Sequence, residues 1–361
     1  MADLQRTPLH AFHVAQGARM VPFAGWEMPV QYSGIIEEHL AVRRAAGLFD
    51  VSHMGECRVS GPDAGAFLDR VMTNAMASIP EGTARYTVMC QPDGGCVDDL
   101  IVYRLGAEEF LICLNASNAA KDIAWLRAHA GEARVHIEDA CAAWAQLALQ
   151  GPAAESILAG LTPIPLGTLR RFAFARGKVA GVEGCIVSRT GYTGSPGFEI
   201  YLPAADAVQL AEAILAAGKP SGLLLAGLGC RDSLRLEAGY PLYGHEISET
   251  ISPIQAGLGW TVKFAKGDFV GRDALLRQHE AGPASRVIPF SLEDRRIARQ
   301  GTPVLAGGRQ VGQVLSGTLS PLLNRPIGTA LVEAAAATGD LEVDLRGNRV
   351  ALKVATEPFF K

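Results

Sequence analysis

Two stretches of this chain follow one plan, and that repetition limits the fold more than any other feature. Cys57–Leu68 (CRVSGPDAGAFL) and Gln146–Leu158 (QLALQGPAAESIL) each run from a short apolar segment through Gly-Pro into a helix-like pattern, the pairs beginning at Gly61 and Gly151. Proline suits the first helical position, where its missing N–H would have no partner anyway, so Pro62 and Pro152 are expected to open helices. A two-strand pattern follows each junction: Cys96–Leu105 turns at Gly106 into Phe110–Leu114, and Cys185–Arg189 passes through a Gly-rich turn into Phe198–Leu202. Helices are then expected over Ala119–Ala130 and Ala205–Ala217, the second with Val208, Ala211, Ile214 and Leu215 on one stripe. The whole reads as a duplicated strand, helix, hairpin, helix unit.

Past residue 275 the texture changes to short strands and glycine turns. Ser285–Leu292, Val304–Leu315 around Gly307-Gly308, and Leu341–Val354 predict a small all-β C-terminal domain, joined by a linker over Gln278–Pro283. A length of 361 residues fits two or three domains. Apolar residues at 48% and charged ones at 19% allow a large core, and a formal charge of −4 gives no general attraction for a polyanion, which disfavours nucleic acid as a partner.

The seven cysteines (57, 90, 96, 113, 141, 185, 230) stand singly with no C-x-x-C pair, indicating neither a disulfide framework nor a thiolate zinc site. A reducing, cytoplasmic setting is expected. The start MADLQRTPLH lacks the pattern of a secretory or transit leader, and no run approaches the roughly 18 apolar residues of a membrane span.

Nucleotide and hydrolase signatures are missing: Lys266-Gly267 has no P-loop before it, Gly227-x-Gly229 is followed by Asp232 where a third glycine is needed, and no G-x-S-x-G occurs. His245-Glu246 suggests a zincin, but Glu249 occupies the place of the second histidine, so no metal site is expected.

The chemistry-bearing residues lie in four segments. In Val97–Tyr103 a strand alternation puts Asp99 on one face with Val97, Ile101 and Tyr103, and Asp98 on the other. A carboxylate on an apolar face is desolvated unless donors compensate, which is how an acid or base is prepared; the bland alternative is a turn aspartate capping backbone N–H groups after Asp93-Gly94-Gly95. Gly191–Ile200 (GYTGSPGFEI) places three glycines before Glu199, a loop that permits close approach of a ligand. A carboxylate there matches two parallel N–H donors on a flat heterocycle, whereas the alternative is an outward-facing Glu beyond a hairpin.

Leu228–Glu237 has a helix period with Arg231 near its start, placed to clamp a ligand carboxylate; the alternative is an exposed helix on which Arg231 and Arg235 repel mildly. In Asp50–Met54 (DVSHM), His53 is either a catalytic base or a hydrogen-bonded core histidine, the second being the commoner use. Tyr86 and Asn115 flank the Asp99 hairpin and can stack on or hydrogen-bond a ring.

Taken in order, these segments closely resemble the aminomethyltransferase (T protein) family of the glycine cleavage system over nearly the whole chain. The resemblance is carried by RTPL at 6–9, VPFAGWEMPVQY at 21–32, DVSHM at 50–54, GGCVDDLIVYR at 94–104, LALQGP at 147–152, GYTG at 191–194, RDSLRLEAG at 231–239 and KGDFVGRDAL at 266–275. It implies an α+β fold, a three-domain cloverleaf around a central folate channel: two related α/β units, the first domain discontinuous (1–52 and 140–275) and the second 53–139 with the Asp hairpin, plus a β-barrel-like domain at 284–361. It implies transfer of the methylene carbon from the aminomethyl-lipoyl arm of H protein to tetrahydrofolate, giving 5,10-methylenetetrahydrofolate and ammonia. Carried over motif by motif, Asp99 would be the catalytic carboxylate, and Glu199 and Arg231 would bind folate, with Tyr86, Asn115, Tyr192 and Met54 as further channel contacts.

That chemistry suits a closed site. The carbon lies between nitrogen and sulfur and must lose ammonia as a reduced folate nitrogen attacks, and alignment alone can supply about 7–11 kcal/mol in well-oriented cases. Relatives of this family include folate-binding proteins that assist iron–sulfur enzymes and folate-dependent demethylases. The first carry a K-G-C-Y-x-G-Q type motif, where this chain has Asp268 in the cysteine place, and the flavin-fused demethylases carry a dinucleotide unit for which this chain has no signature. The chain ends at Pro358-Phe359-Phe360-Lys361 without the longer aromatic tail of some relatives, and the expected H protein contact rests on local Lys and Arg residues that the sequence does not single out.

Overall fold

A computed structural model describes residues 4–361; part of the leader reading falls on residues 1–3, outside the described residues. By internal contacts the described residues form two compact units, one of residues 4–64, 79–85 and 101–232, the other of 65–78, 86–100 and 233–361.

In the first unit, α1 (His10–Ala15), the hairpin β1 (Arg19–Phe23) and β2 (Trp26–Gln31), and α2 (Ile35–Arg44) lead into β3 (Ala46–Asp50). The repeat foreseen in the sequence is visible in the element order, but each copy has three strands between its helices where a two-strand hairpin was expected. Its first copy runs β4 (Gly55–Ser60), α3 (Ala64–Val71), β5 (Ala84–Cys90), β6 (Cys96–Gly106), β7 (Glu109–Leu114) and α4 (Ala119–Ala128), followed by β8 (His136–Asp139). Its second runs β9 (Trp144–Gln150), α5 (Ala154–Ala159), β10 (Phe174–Val179), β11 (Val182–Ser188), β12 (Gly197–Pro203) and α6 (Ala207–Gly218). Then come β13 (Leu223–Leu225) and α7 (Leu228–Glu237). The strands form a five-stranded sheet, β5-β6-β7-β4-β8, and a six-stranded one, β10-β11-β12-β9-β3-β13. Alternate apolar positions explain the packing: Leu147, Leu149, Phe198, Ile200 and Leu202 meet Leu210, Ala211 and Ile214 of α6 in one core, all essentially buried, whereas Val208, expected on that stripe, is exposed and Leu215 lies at its edge.

One expectation needs correcting at the Gly-Pro junctions. Pro62 and Pro152 do not open the helices, which start two residues later at Ala64 and Ala154. The reason is a turn: the N–H of Ala64 bonds to the Gly61 carbonyl and that of Ala154 to the Gly151 carbonyl, both at 3.0 Å. Gly61 and Gly151 take φ of 126° and 134°, and a Cβ on either would lie 2.3 Å from the Arg134 oxygen or 2.4 Å from the Ala45 oxygen. Gly151→Ala is therefore expected to cost at least about 1–3 kcal/mol, the usual penalty of such a conformation, read as a lowered urea midpoint.

The second unit contains α8 (Arg272–Ala281) and a closed barrel in the order β14-β17-β16-β15-β18-β19. Its strands are β14 (Ser285–Leu292), β15 (Pro303–Ala306), β16 (Arg309–Ser320), β17 (Arg325–Glu333), β18 (Leu341–Leu345) and β19 (Asn348–Val354). Closure comes from β14 pairing with both β17 and β19, around Phe290, Val314, Ala330, Val332 and Val343. Residues 278–281, expected in a linker, instead complete α8. Their charge belongs to its solvent face, and the chain leaves the helix at Gly282.

Candidate active site

Asp99 stands near the start of β6, beyond the turn 91–95, which is closed by Gln91 N–H to Gly95 O (2.8 Å) and Gly94 N–H to Gln91 O (2.9 Å). The turn-capping role belongs to Asp93, whose Oδ1 accepts from Gly95 N–H at 3.0 Å, so Asp99 is left for other work. Its Oδ2 accepts the Tyr86 hydroxyl at 2.9 Å, a donor on the neighbouring strand that offsets desolvation. Tyr86 is itself fixed on both sides. Its carbonyl accepts from Asn74 Nδ2 at 3.0 Å, and its ring stacks on Trp260 with centroids 5.8 Å apart and planes 26° from parallel. Alternation alone did not reveal that Asp98 is the more deeply buried carboxylate, fully enclosed, while Asp99 is half-buried.

The Glu199 side chain is in β12, opposite Ser188 on β11 and Ala148 on β9, and is 6% exposed. The outward-facing alternative therefore fails. Burial pushes its carboxyl above the usual carboxylate range, while a hydrogen bond with Thr190 and the charge of Arg231 pull it back. Thr190 also meets the Tyr103 hydroxyl at 3.3 Å, and the Tyr201 hydroxyl donates to that of Tyr103 at 3.2 Å. Met54 packs at the edge of the cluster that holds Tyr103, Leu111, Cys113, Phe174, Ile186 and Tyr201.

Arg231 lies in the first turn of α7, with its guanidinium 4.6 Å from the centre of the Tyr192 ring, a cation–π contact. The helix start is held by Glu38, whose Oε2 accepts Gly227 N–H at 2.9 Å. The glycine loop under Tyr192 is rigid rather than loose. Arg43 donates to Thr193 O (2.6 Å) and Ser195 Oγ (2.8 Å), and Gln150 Oε1 accepts the Thr193 hydroxyl (2.8 Å). The exposed-helix alternative also fails, because Arg235 is buried and paired with Glu246 at 2.8 Å.

His53 is a core residue, 3% exposed and edge-on to Phe23, but its Nδ1 has no hydrogen-bond partner, which corrects the hydrogen-bonded expectation. Burial lowers its pKa to about 4, with Asp50 raising and Arg231 lowering it, so the ring is neutral at neutral pH. Asn115 follows β7, half-buried, its carbonyl accepting Asn118 N–H at 2.9 Å. Thus Tyr86 is joined to Asp99, and Arg231 to Tyr192 and Glu199. Sequence reasoning missed Trp260, Thr190 and Tyr201. Only Tyr103 carried a signal, its period-two spacing from Asp99. Among the described residues no group of three or more His, Cys, Asp or Glu is arranged to hold a metal ion.

The family described as the GCVT N-terminal domain matches residues 9–266, and the glycine cleavage T-protein C-terminal barrel domain matches residues 286–361. The chain belongs to the glycine cleavage T-protein family. Relatives named aminomethyltransferase include those of Moorella thermoacetica, 50% identical over 100% of this chain and 99% of the relative, and Geobacillus kaustophilus, 51% identical over 99% of each. A solved structure, the glycine cleavage system aminomethyltransferase T from Bartonella henselae, matches with a TM-score of 0.93 at 35% identity, covering 99% of this chain and 98% of that one. As a T-protein family member the chain is an enzyme, an aminomethyltransferase of the glycine cleavage system.

Proposed function

We propose that this T-protein transfers the methylene carbon of an S-aminomethyldihydrolipoyl arm, carried by H protein, to tetrahydrofolate. Ammonia, 5,10-methylenetetrahydrofolate and the dihydrolipoyl arm are the products. The folate supplies the attacking amine nitrogen. Two folate N–H protons leave, one ending on the departing ammonia and one on the released thiolate; Asp99 takes or relays one of them and stabilises developing positive charge, and Tyr86 fixes which carboxylate oxygen is engaged. Glu199 and Arg231 bind the folate, and Tyr86, Asn115, Tyr192 and Met54 are further contacts to it.

The observation that carries this reading is the Tyr86–Asp99 hydrogen bond of 2.9 Å on a half-buried carboxylate, within a chain matched along its length by aminomethyltransferases. The fit of a reduced pterin is supported by Glu199, a buried carboxylate able to accept paired N–H donors, beside the Arg231–Tyr192 stack. The proposal includes a three-domain division at 1–52 with 140–275, 53–139, and 284–361. It is supported by the spread of the strands: the six-stranded sheet draws on 46–225, the five-stranded one on 55–139 and the barrel on 285–354. A cytoplasmic setting is supported by seven cysteines that are all free thiols; no helix among the described residues is long and apolar enough to cross a membrane.

The test is an assay of ammonia and methylenetetrahydrofolate from aminomethylated H protein, run beside dimethylglycine and sulfonium donors. Folate binding without turnover of any donor would overturn the reading in favour of a non-catalytic folate protein, and turnover of the other donors alone would make the chain a demethylase. Glu199→Gln separates binding from stability. Loss of a charge-assisted hydrogen bond worth about 1.5–3 kcal/mol weakens tetrahydrofolate roughly 10- to 100-fold by calorimetry. A carboxyl raised on folding stabilises below its ordinary pKa and loses that contribution as pH rises through the folded value, so the same variant melts higher than wild type at neutral pH.

A further inference from the structure

Trp260 is 58% exposed, although both its neighbourhood and its backbone are fixed. It occupies a single 3-10 turn, Gly259–Thr261, between the buried side chains Leu258 and Val262, which belong to a core cluster with Val88, Cys90, Cys96 and Phe269. The Thr261 hydroxyl bonds to Leu258 O at 2.8 Å, and Lys263 N–H to Thr73 O at 2.9 Å, so the turn is held at both ends. The indole stacks on Tyr86, whose hydroxyl reaches Asp99. A large aromatic surface that packing could have covered is thus left open, one ring away from the carboxylate assigned to the transfer.

We propose that Trp260 is the specificity-determining residue for the donor, its inner face holding Tyr86 on Asp99 and its outer face receiving the sulfur-bearing aliphatic arm. The inference rests on the reading of Asp99 given above. A stacked ring limits the rotation of the phenol and so the direction of its O–H, which makes Trp260 a positioning residue for Asp99. Its open face suits a thioether on a flexible hydrocarbon chain, because sulfur and CH₂ groups pack favourably against aromatic rings. A donor carbon attached to such a sulfur is thereby brought toward the carboxylate.

The experiment uses the full-length enzyme with lipoylated, aminomethylated H protein and, as a second probe, free dihydrolipoamide. In Trp260→Ala the KM for the donor is expected to rise about tenfold, the size of one lost aromatic or sulfur–aromatic contact, with the dissociation constant of tetrahydrofolate unchanged. Trp260→Phe keeps a ring and should restore most of the loss. The indole emission that distinguishes wild type from Trp260→Phe should be quenched by lipoylated H protein and by dihydrolipoamide, and not by unlipoylated H protein. An unaltered donor KM in Trp260→Ala, a rise in the folate constant in place of the donor constant, or no lipoyl-dependent quench in wild type would each overturn the assignment. Failure of wild type itself to form methylenetetrahydrofolate would instead overturn the proposed function. If Trp260→Ala does not fold, the Phe variant and the wild-type quench decide the matter.

Discussion

Asp99→Asn is expected to lower turnover about 10²- to 10⁴-fold while tetrahydrofolate still binds, the range typical of a lost general acid or base. Asparagine keeps the volume and one acceptor oxygen, so the Tyr86 hydroxyl at 2.9 Å retains a partner and the strand need not move. What disappears is the charge and the ability to take a proton as ammonia leaves. Methylenetetrahydrofolate formation gives the rate, and a separate folate titration shows that the binding residues are intact. Turnover within a few-fold of wild type would remove Asp99 from the reaction. Asp98→Asn is the matching control: its side chain is completely buried, and its loss should register in stability before catalysis.

The largest stability effect is expected at Glu246. This carboxylate accepts Arg235 Nη1 at 2.8 Å, the Leu242 N–H at 2.9 Å and the Thr329 hydroxyl, while Arg235 also donates to Ser316 Oγ at 2.8 Å. The pair ties the end of α7 to strands β16 and β17 with side chains 1% and 5% exposed. Burial pushes the Glu246 carboxyl up, but Arg235, Thr329, Ser316 and the Leu242 N–H outweigh it and leave the carboxyl below its ordinary value. Glu246→Gln leaves the Arg235 charge buried without a counter-ion, and a loss of about 3–5 kcal/mol is expected in urea unfolding. Replacing both partners by apolar residues, as in Arg235→Met with Glu246→Leu, should cost clearly less, because the desolvation of both charges is removed together. The sign with pH is also fixed. A carboxyl lowered on folding contributes above its ordinary pKa, and that contribution fades as pH falls from there through the folded value. Wild type should thus lose stability on acidification over that window, and Glu246→Gln should show less of this slope.

These two residues also show how far the sequence could be read. His245-Glu246 invited a metal-protease reading that the missing second histidine dismissed, but nothing local pointed to Arg235, which is 11 positions away, as its partner. In the barrel, β17 was the strand least legible in advance, since Pro326 and Gly328 in Arg325–Glu333 weaken a strand pattern. The glycine is needed because the Phe290 ring fills its side-chain space, a Cβ there lying 2.5 Å from the ring, and only the closed barrel brings Phe290 to that place. The deep burial of Asp98 was hidden for a related reason. β6 is an inner strand with Leu100 and Val102 buried on one face and Val97 and Tyr103 on the other, so alternation no longer separates inside from outside.

The amino-acid sequence by itself determined the repeated order of strands and helices, the hairpin bearing Asp99, the helix bearing Arg231 and the family to which these motifs belong. These features depend on neighbours a few residues apart, where turn chemistry and hydrophobic period act directly on the backbone. Tertiary structure decided which polar groups have partners: Tyr86 on Asp99, Thr190 beside Glu199, Arg235 on Glu246, Trp260 over Tyr86. Such pairings join residues 9 to 174 positions apart, and their strength comes from desolvation and geometry that exist only once the chain has packed.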